Sequence, residues 1–480
     1  MRSSISSSKL SRWATVAVVS AAIICAATWV VRVQQGYAVR GELTEGWLTD
    51  VARVREAIYA AQPADKKTIW IVGGSNALFG INSALLSELT GYNVRNYALH
   101  ASFHSNILYS QIRSKVKPGD IVVSSREFSV IDLEFGSKFD YSNFLGHFSQ
   151  FADLSLVDTM DLFMKIPLTR WWDGLAAYSS TAPGTLPYGA RKPVAALLQE
   201  REQGYGQSYF YTHAALTAAG DINIDTPMAR AAWVDQPVTF VPDAIAAEGI
   251  ADLQAWRARF EARGAKFFSI MPAVIENSSR QMIQPGLWQQ IDTQRRQMDE
   301  ARVPLHCDPL ASTFSAIYRL DTPYHLNAGG ARLRTLGLAD CLRQEIGGQN
   351  TVMKPFQPQA MANAVAQRLE KQRENFGEGD LPYQRDLRAL KLLAEALQRR
   401  YLPGTYPPTQ PVEALATTLA VGPVPAGLAY FSDGTHFGLY GYSKNQANCT
   451  VIAANWPALI LPEATTEGDL TRCYAFGYRN

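Results

Sequence analysis

Two groups of residues could together carry out nucleophilic chemistry. The first is Ser75 in Gly73-Gly74-Ser75-Asn76, directly after the apolar run Thr68-Ile-Trp-Ile-Val72. The second is Asp321-Thr-Pro-Tyr-His325, which precedes Leu326-Asn327-Ala-Gly-Gly330. A serine hydroxyl needs a base, a histidine supplies one near neutral pH, and a carboxylate orients the imidazole. Asp321 lies close enough along the chain for a short loop to fold it against His325. Glycines let a strand bend sharply into a helix, and a helix N-terminus offers N–H groups that can stabilise an oxyanion. Gly74 and Asn76 are therefore candidate oxyanion residues. Each feature alone has a bland reading: an ordinary loop, a surface histidine, an aspartate capping a turn. Chemistry is favoured only if one fold brings them together.

The surrounding pattern provides such a fold. Thr68–Val72 reads as a buried strand, with a helix after Ser75 that uses Leu78, Ile81, Leu85, Leu86 and Leu89 and closes at Gly91. Val94–Leu99 reads as a second strand and Ser105–Val116 as a helix. Lys117-Pro-Gly-Asp120 then turns into a third strand at Ile121–Ser124. After an interruption the rhythm resumes: helix 246–262, strand 266–272, helix 287–302, strand 304–308 and helix 328–346. Alternation with short links predicts an α/β domain over 33–130 and 246–346, built on a parallel sheet. In such a sheet the carboxyl ends of the strands meet, so Ser75 and His325 can converge.

Residues 131–245 break the alternation and are rich in aromatics and in Pro and Gly. They are expected to form an insertion over the open end of the sheet, where lids and substrate walls lie. Leu48, Val51, Val54, Ile58 and Tyr59 recur at helical spacing in a stretch from about Val33 to Lys67, a membrane-proximal helix. Residues 350–480 are expected to form a C-terminal α+β module, two amphipathic helices and then short β runs.

The N-terminus predicts an address. Residues 1–12 carry Arg2, Lys9 and Arg12, and Trp13–Val31 is uncharged and about as long as a bilayer-spanning helix. Positive charge before the span favours a cytoplasmic N-terminus, with the bulk of the chain in the periplasm or otherwise outside. A cleaved signal peptide is the rival reading. Beyond Cys25, nearest-neighbour pairing of the cysteines gives Cys307–Cys341 and Cys449–Cys473, which an oxidising compartment permits. Neither spacing matches a zinc site, and the seven histidines are scattered, so no metal is expected. A formal net charge of +2, without a basic stripe, argues against nucleic acid as the main partner.

The Gly-Gly-Ser75-Asn elbow and the Asp321…His325-Leu-Asn block resemble the first and last blocks of the SGNH (GDSL-type) hydrolase superfamily. The likeness is closest to its membrane-anchored branch, such as the alginate O-acetylation proteins and the teichoic-acid D-alanylation protein. It covers roughly 66–130 and 246–346. It implies a flavodoxin-like three-layer α/β/α sandwich, with Ser75 as nucleophile, His325 as base and Asp321 as its orienting partner. It also implies that the N–H of Ser75 or Asn76 serves the oxyanion hole.

Two blocks depart from that pattern. The loop after strand two, Asn96-Tyr-Ala-Leu-His100-Ala101-Ser102, has no glycine, and an Ala101 or Ser102 N–H would have to serve. The loop after strand three, Ser124-Ser-Arg126-Glu127-Phe128, lacks the usual asparagine donor, leaving Arg126 or Asn106 as substitutes and Glu127 as a structural residue. Loss of one oxyanion donor typically costs about 100-fold or more in rate. His100 and His104 lie near the expected rim, where packing competes with substrate contact. Glu276 and Asn277 face the same end without an evident partner, and Asp433 and His436 read as turn residues.

The resulting expectation is an inner-membrane, single-pass envelope protein that needs no cofactor. It would be an acyl esterase or O-acyltransferase moving an acyl (by resemblance acetyl) group to or from a cell-surface polysaccharide, with a membrane-bound O-acyltransferase as partner. A catalytically inactive scaffold that binds glycan or such an acyltransferase is the alternative, and a lipolytic enzyme a third.

Overall fold

Thr68–Gly73 forms strand β1, and every residue in it is buried. Successive side chains of a strand point to opposite faces, so burial at every position means cover on both faces of the sheet. The computed structural model describes residues 7–40, 45–62, 66–131, 133–147, 153–182, 184–185, 192–204, 210–222, 241–277 and 280–374, then most of 389–442 and strands 449–454 and 474–478. Asp433, His436 and Cys473 lie outside the described residues, as does the side chain of Cys449.

Around β1 the chain builds a five-stranded parallel sheet from β2 (Asn93–Asn96), β3 (Ile121–Ser125), β4 (Lys266–Ile270) and β6 (Leu305–His306), in the order β2-β1-β3-β4-β6. The chain thus steps outward on opposite sides of β1, and the strand order reverses between β1 and β3. A two-residue ladder, β5 (Val274–Ile275) with β7 (Thr313–Phe314), extends the carboxyl edge beyond β4 and β6. Covering helices include α4 (Ser83–Thr90), α5 (Ser105–Arg113), α10 (Ala247–Glu261), α11 (Pro285–Glu300) and α12 (Ala328–Ile346).

The helix expected after Ser75 is two helices. Ser75–Gly80 (α3) stops at Ile81, which is extended, and Asn82 caps α4 by accepting the Leu85 N–H at 3.0 Å. Tertiary contacts hold this break open. Asn82 donates its N–H to Thr335 on α12, and Ser83 gives both its N–H and its hydroxyl to the buried Asp221 carboxylate. The apolar spacing that suggested one helix survives across the break because both pieces bury the same side.

N-terminal to the sheet, α1 (Ser7–Val39) runs further than its apolar stretch, and α2 (Gly46–Ala60) is a separate helix burying Leu48, Val51, Val54, Ile58 and Tyr59. Among the described residues, one helical segment, Arg12–Val39, is long and apolar enough to cross a membrane. The insertion supplies α6 (Lys138–Gly146), α7 (Leu156–Met164), α8 (Leu168–Ser179) and α9 (Val194–Gln203). Part of it packs along α1, and part reaches the carboxyl edge of the sheet. Cys307 and Cys341 form a disulfide that ties the end of β6 to α12, and Cys25 is a free, exposed thiol. The Cys449–Cys473 pair falls outside the described residues. Beyond α13 (Pro358–Glu374), the C-terminal region carries a four-stranded sheet, whose Leu428, Tyr430, Phe437 and Leu439 share an apolar cluster with Ala273, Ile275, Phe314, Tyr318 and Leu326 of the α/β unit.

Candidate active site

β1 ends pressed against β3. A Cβ on Gly73 would lie 2.0 Å from the Ser125 carbonyl oxygen, and one on Gly74 would lie 2.0 Å from the Glu127 carboxylate. These two glycines are demanded by close approach. Gly74 then serves as N-cap of α3 without a side chain to offer, and Ser75 opens the helix. The missing cap comes from across the sheet: Glu127 Oε1, on the loop after β3, accepts the Asn76 N–H at 2.8 Å. The same oxygen lies 3.5 Å from Ser75 Oγ, a long hydrogen bond. Glu127 is buried, and its second oxygen has no hydrogen-bond partner among the described residues.

Asn76 is a structural hub. Its side chain donates to the Ser125 carbonyl at 3.0 Å and accepts the Ser125 hydroxyl at 2.7 Å. The fully buried Arg334, on α12, donates to the Asn76 carbonyl at 2.9 Å, to Ser125 Oγ at 2.8 Å and to the Met271 carbonyl at 3.0 Å. Burial lowers the Arg334 pKa to about 10, opposed by the negative charge of Glu127. The elbow is thereby bolted to the helix that follows His325.

His325 sits in a tight hairpin-like loop. Arg319 and Leu326 form an antiparallel bridge, Leu320 N–H donates to the His325 carbonyl at 2.8 Å, and Asn327 caps α12. This loop brings Asp321 Oδ1 to 2.7 Å from His325 Nδ1. Tyr211, from the insertion, donates its hydroxyl to the other oxygen, Asp321 Oδ2, and that hydroxyl is 3.2 Å from His325 Nδ1. Burial pushes the Asp321 carboxyl up. The charge and hydrogen bond of His325, the Tyr211 hydroxyl and the Thr322 N–H outweigh that, so its pKa falls below the ordinary value.

The two halves meet through α3. Phe79 packs against the His325 ring in a tilted arrangement at 4.3 Å between centroids, and Phe79 is one helical turn after Ser75, on the same side of the helix. Phe79 also packs edge-on against Tyr211. Among the described residues, the Ser75 hydroxyl bonds to Glu127 and not to His325. The serine and the Asp–His pair are neighbours at one end of one sheet, with the hydroxyl turned toward the acid.

The other candidates divide clearly. Arg126 is buried and donates to the carbonyls of Phe103 and Val130, so it braces the two loops. The Asn106 side-chain oxygen accepts the indole N–H of Trp256 at 2.8 Å. The Ser102 N–H is taken by His100 Nδ1 at 3.1 Å, and Ala101 shares that half-buried turn. His104 caps α5 through Nδ1 and pairs with Asp252 through Nε2 at 2.9 Å, a packing role. Glu276 bonds to Ser315 and Ala316, and Asn277 to Gln281, within their own corner.

His100 gains standing. It stacks on Phe139 at 4.5 Å and feels the charges of Glu45, Glu127 and His325. Burial is the largest influence and lowers its pKa, keeping the ring neutral. Because Nδ1 accepts from Ser102, the ring proton sits on Nε2, leaving one N–H donor. Tyr211 is the residue sequence reasoning missed, since nothing in Gly204-Tyr-Gly-Gln-Ser-Tyr-Phe210-Tyr211 marks one tyrosine above the others. Among the described residues, no group of three or more acidic, His or Cys side chains could hold a metal. No family model matches the chain, and no curated protein or solved structure does either.

Proposed function

We propose that this protein is a membrane-anchored serine esterase or O-acyltransferase of SGNH type. The observation that carries this reading is the Asp321–His325 pair, hydrogen-bonded at 2.7 Å, at the same sheet end as the Ser75 elbow. Sheet order β2-β1-β3-β4-β6 supports the flavodoxin-like expectation, and the crevice where that order reverses is the usual ligand site in such sheets. The resemblance of the two motifs suggests the acyl substrate, a cell-surface polysaccharide as acceptor or source, and a membrane-bound O-acyltransferase as partner. An apolar α1 supports anchoring in the inner membrane with the catalytic part outside the cytoplasm.

In this mechanism the Ser75 hydroxyl rotates from Glu127 to His325 Nε2. His325 takes the proton as Oγ attacks the acyl carbonyl, and Asp321 holds the Nδ1–H and stabilises the imidazolium. Collapse of the tetrahedral intermediate breaks the ester bond, and His325 returns the proton to the leaving alcohol. A sugar hydroxyl or water then attacks acyl-Ser75 by the same route in reverse. Oxyanion donors are the Ser75 N–H at the helix start and the Nε2–H of His100 in place of the absent asparagine.

Glu127 favours the second reading, a catalytically silent scaffold. Its carboxylate occupies the Asn76 N–H, one of the expected oxyanion donors. Incubating the full chain in detergent with a serine-directed fluorophosphonate, beside Ser75→Ala and His325→Ala, separates the two. Labelling at Ser75 that both substitutions abolish, with acetate release from an acetyl ester, supports the enzyme. An unlabelled Ser75 in a folded protein leaves the scaffold.

A further inference from the structure

Helix α7 turns its apolar residues outward. Leu156, Val157, Met160 and Met164 are 79, 77, 53 and 77% exposed, while Leu162 is buried. At about 100° per residue, the exposed four fall within one arc of roughly 100°, a single stripe. Helix α8 continues it with Leu168 at 72% and Trp172 at 62% exposure. Six large exposed apolar side chains on two consecutive helices, which meet through Phe163 and Trp171 at 5.1 Å between ring centroids, exceed the scattered exposure normal for a protein surrounded by water.

The patch is continuous with α1. Trp29 stacks on Trp171 with centroids 5.4 Å apart and meets Trp172 edge-on at 6.5 Å. A little further along, a Cβ on Gly36 would lie 1.8 Å from the Gly174 carbonyl oxygen, so α1 and α8 touch backbone to backbone. Along α1 the exposed apolar side chains run from Trp13 to Val31, whereas Val33 and Tyr37 are buried in the core. Helix α8 therefore docks where α1 stops being exposed. With 33 residues at about 1.5 Å each, α1 is roughly 50 Å long, more than the hydrocarbon core requires. A bilayer crossed by Trp13–Val31 would leave the last turns of α1, which carry α8, outside the hydrocarbon core. Trp29, Trp171 and Trp172 lie at that level, where aromatic belts form. Among the flanking charges, Asp161 pairs with Lys165 at 3.2 Å and Arg170 with Asp173 at 2.9 Å, while Asp158 accepts from the Ser155 hydroxyl at its own helix start. The face thus offers apolar contact without a charge pattern for a protein partner to match.

We infer that the exposed face of α7 and α8 lies in the surface of the bilayer that α1 enters, with lipid as its occupant. The inference rests on α1 being a membrane anchor. The α7–α8 face is a second, interfacial attachment that fixes the tilt of the domain. Helix α6 joins it to the candidate site, since α6 packs on α1 and α7 and its Phe139 stacks on His100.

The test uses the full chain in phosphatidylethanolamine–phosphatidylglycerol vesicles containing a phospholipid with an acyl-chain diazirine, with photolabelled peptides mapped by mass spectrometry. Lipid adducts are expected on 13–31 and on 156–172, and none on the control helix 285–300. The double substitution Val157→Asp, Met160→Asp, at exposed positions, should lower the 156–172 label about tenfold relative to the 13–31 label in the same molecule. Label on 13–31 with 156–172 at the control level overturns the inference and leaves the anchor standing. Adducts absent there, with a dimer in detergent sedimentation that Val157→Asp, Met160→Asp dissolves, overturn it in favour of a self-contact. An unlabelled 13–31 overturns the anchor itself and this inference with it.

Discussion

The Asn76 N–H donates to Glu127 Oε1 at 2.8 Å, so a buried carboxylate caps the helix that begins with Ser75. Replacing it by the isosteric amide keeps an acceptor for Asn76 while removing a negative charge beside the developing oxyanion. Glu127→Gln should therefore speed fluorophosphonate capture of Ser75 by about tenfold or more, since two charges some 5 Å apart interact by a few kcal/mol at an effective dielectric near 20. Glu127→Ala also deletes the cap and should cost about 1–3 kcal/mol in denaturant unfolding. Slower capture in the amide variant would show that Glu127 assists the hydroxyl instead of opposing the oxyanion.

His100→Phe keeps the stacking partner of Phe139 and removes the ring N–H. Capture and turnover are expected to fall by about 10²–10³-fold, the usual effect of losing one oxyanion donor. The measurement is kcat on an acetyl ester beside circular dichroism. A change confined to KM would assign His100 to substrate contact alone.

Tyr211 donates to Asp321 Oδ2, and removing its hydroxyl takes away one of the groups that hold the carboxyl pKa down. Because the folded pKa is depressed, this site adds stability that is present above the unfolded carboxylate pKa near 4 and lost as pH falls through the lower folded value. Tyr211→Phe should weaken that contribution by about 1 kcal/mol at pH 7 and shift acid unfolding to higher pH. Urea titrations of the two proteins at acidic and neutral pH check this.

Asp221 behaves in the opposite sense. Burial raises its pKa to about 6, in spite of the hydrogen bonds from Ser83 and Asn96 and the charge of Arg55. The folded form then holds a proton that the unfolded form has lost, so this site weakens the fold as pH rises from about 4 to about 6. The loss is on the order of 2–3 kcal/mol. In Asp221→Asn that pH-dependent step should be absent, and a pH series of unfolding midpoints reads it directly.

The Cys307–Cys341 disulfide closes a loop with a sequence separation of 34. Chain-entropy reasoning gives about 3–4 kcal/mol for a loop of that size. Cysteine 341 lies on α12, which also carries Arg334 to the elbow, so Cys341→Ala should lower both stability and the rate of Ser75 capture. Limited proteolysis around 307–327 in the reduced wild-type protein would report the same loosening.

The architecture of the sheet was legible from local pattern. Buried β runs alternating with amphipathic helices need only nearest-neighbour chemistry to be read, and the Asp321–His325 hydrogen bond follows from a loop short enough to fold one residue against the other. Three things depend on contacts far apart in sequence. The helix after Ser75 breaks because Asp221 and Thr335 bind its cap residues. Tyr211 joins Asp321 across 110 positions, which no spacing rule announces. Glu127, expected to be structural, takes its particular role as the cap of α3 because Gly73 and Gly74 let β1 approach β3 closely enough for its carboxylate to reach. Residue types along the chain determined which groups could react. Only the packed sheet decided that the serine hydroxyl rests against the Glu127 carboxylate, because hydrogen-bond partners are chosen by distance in space.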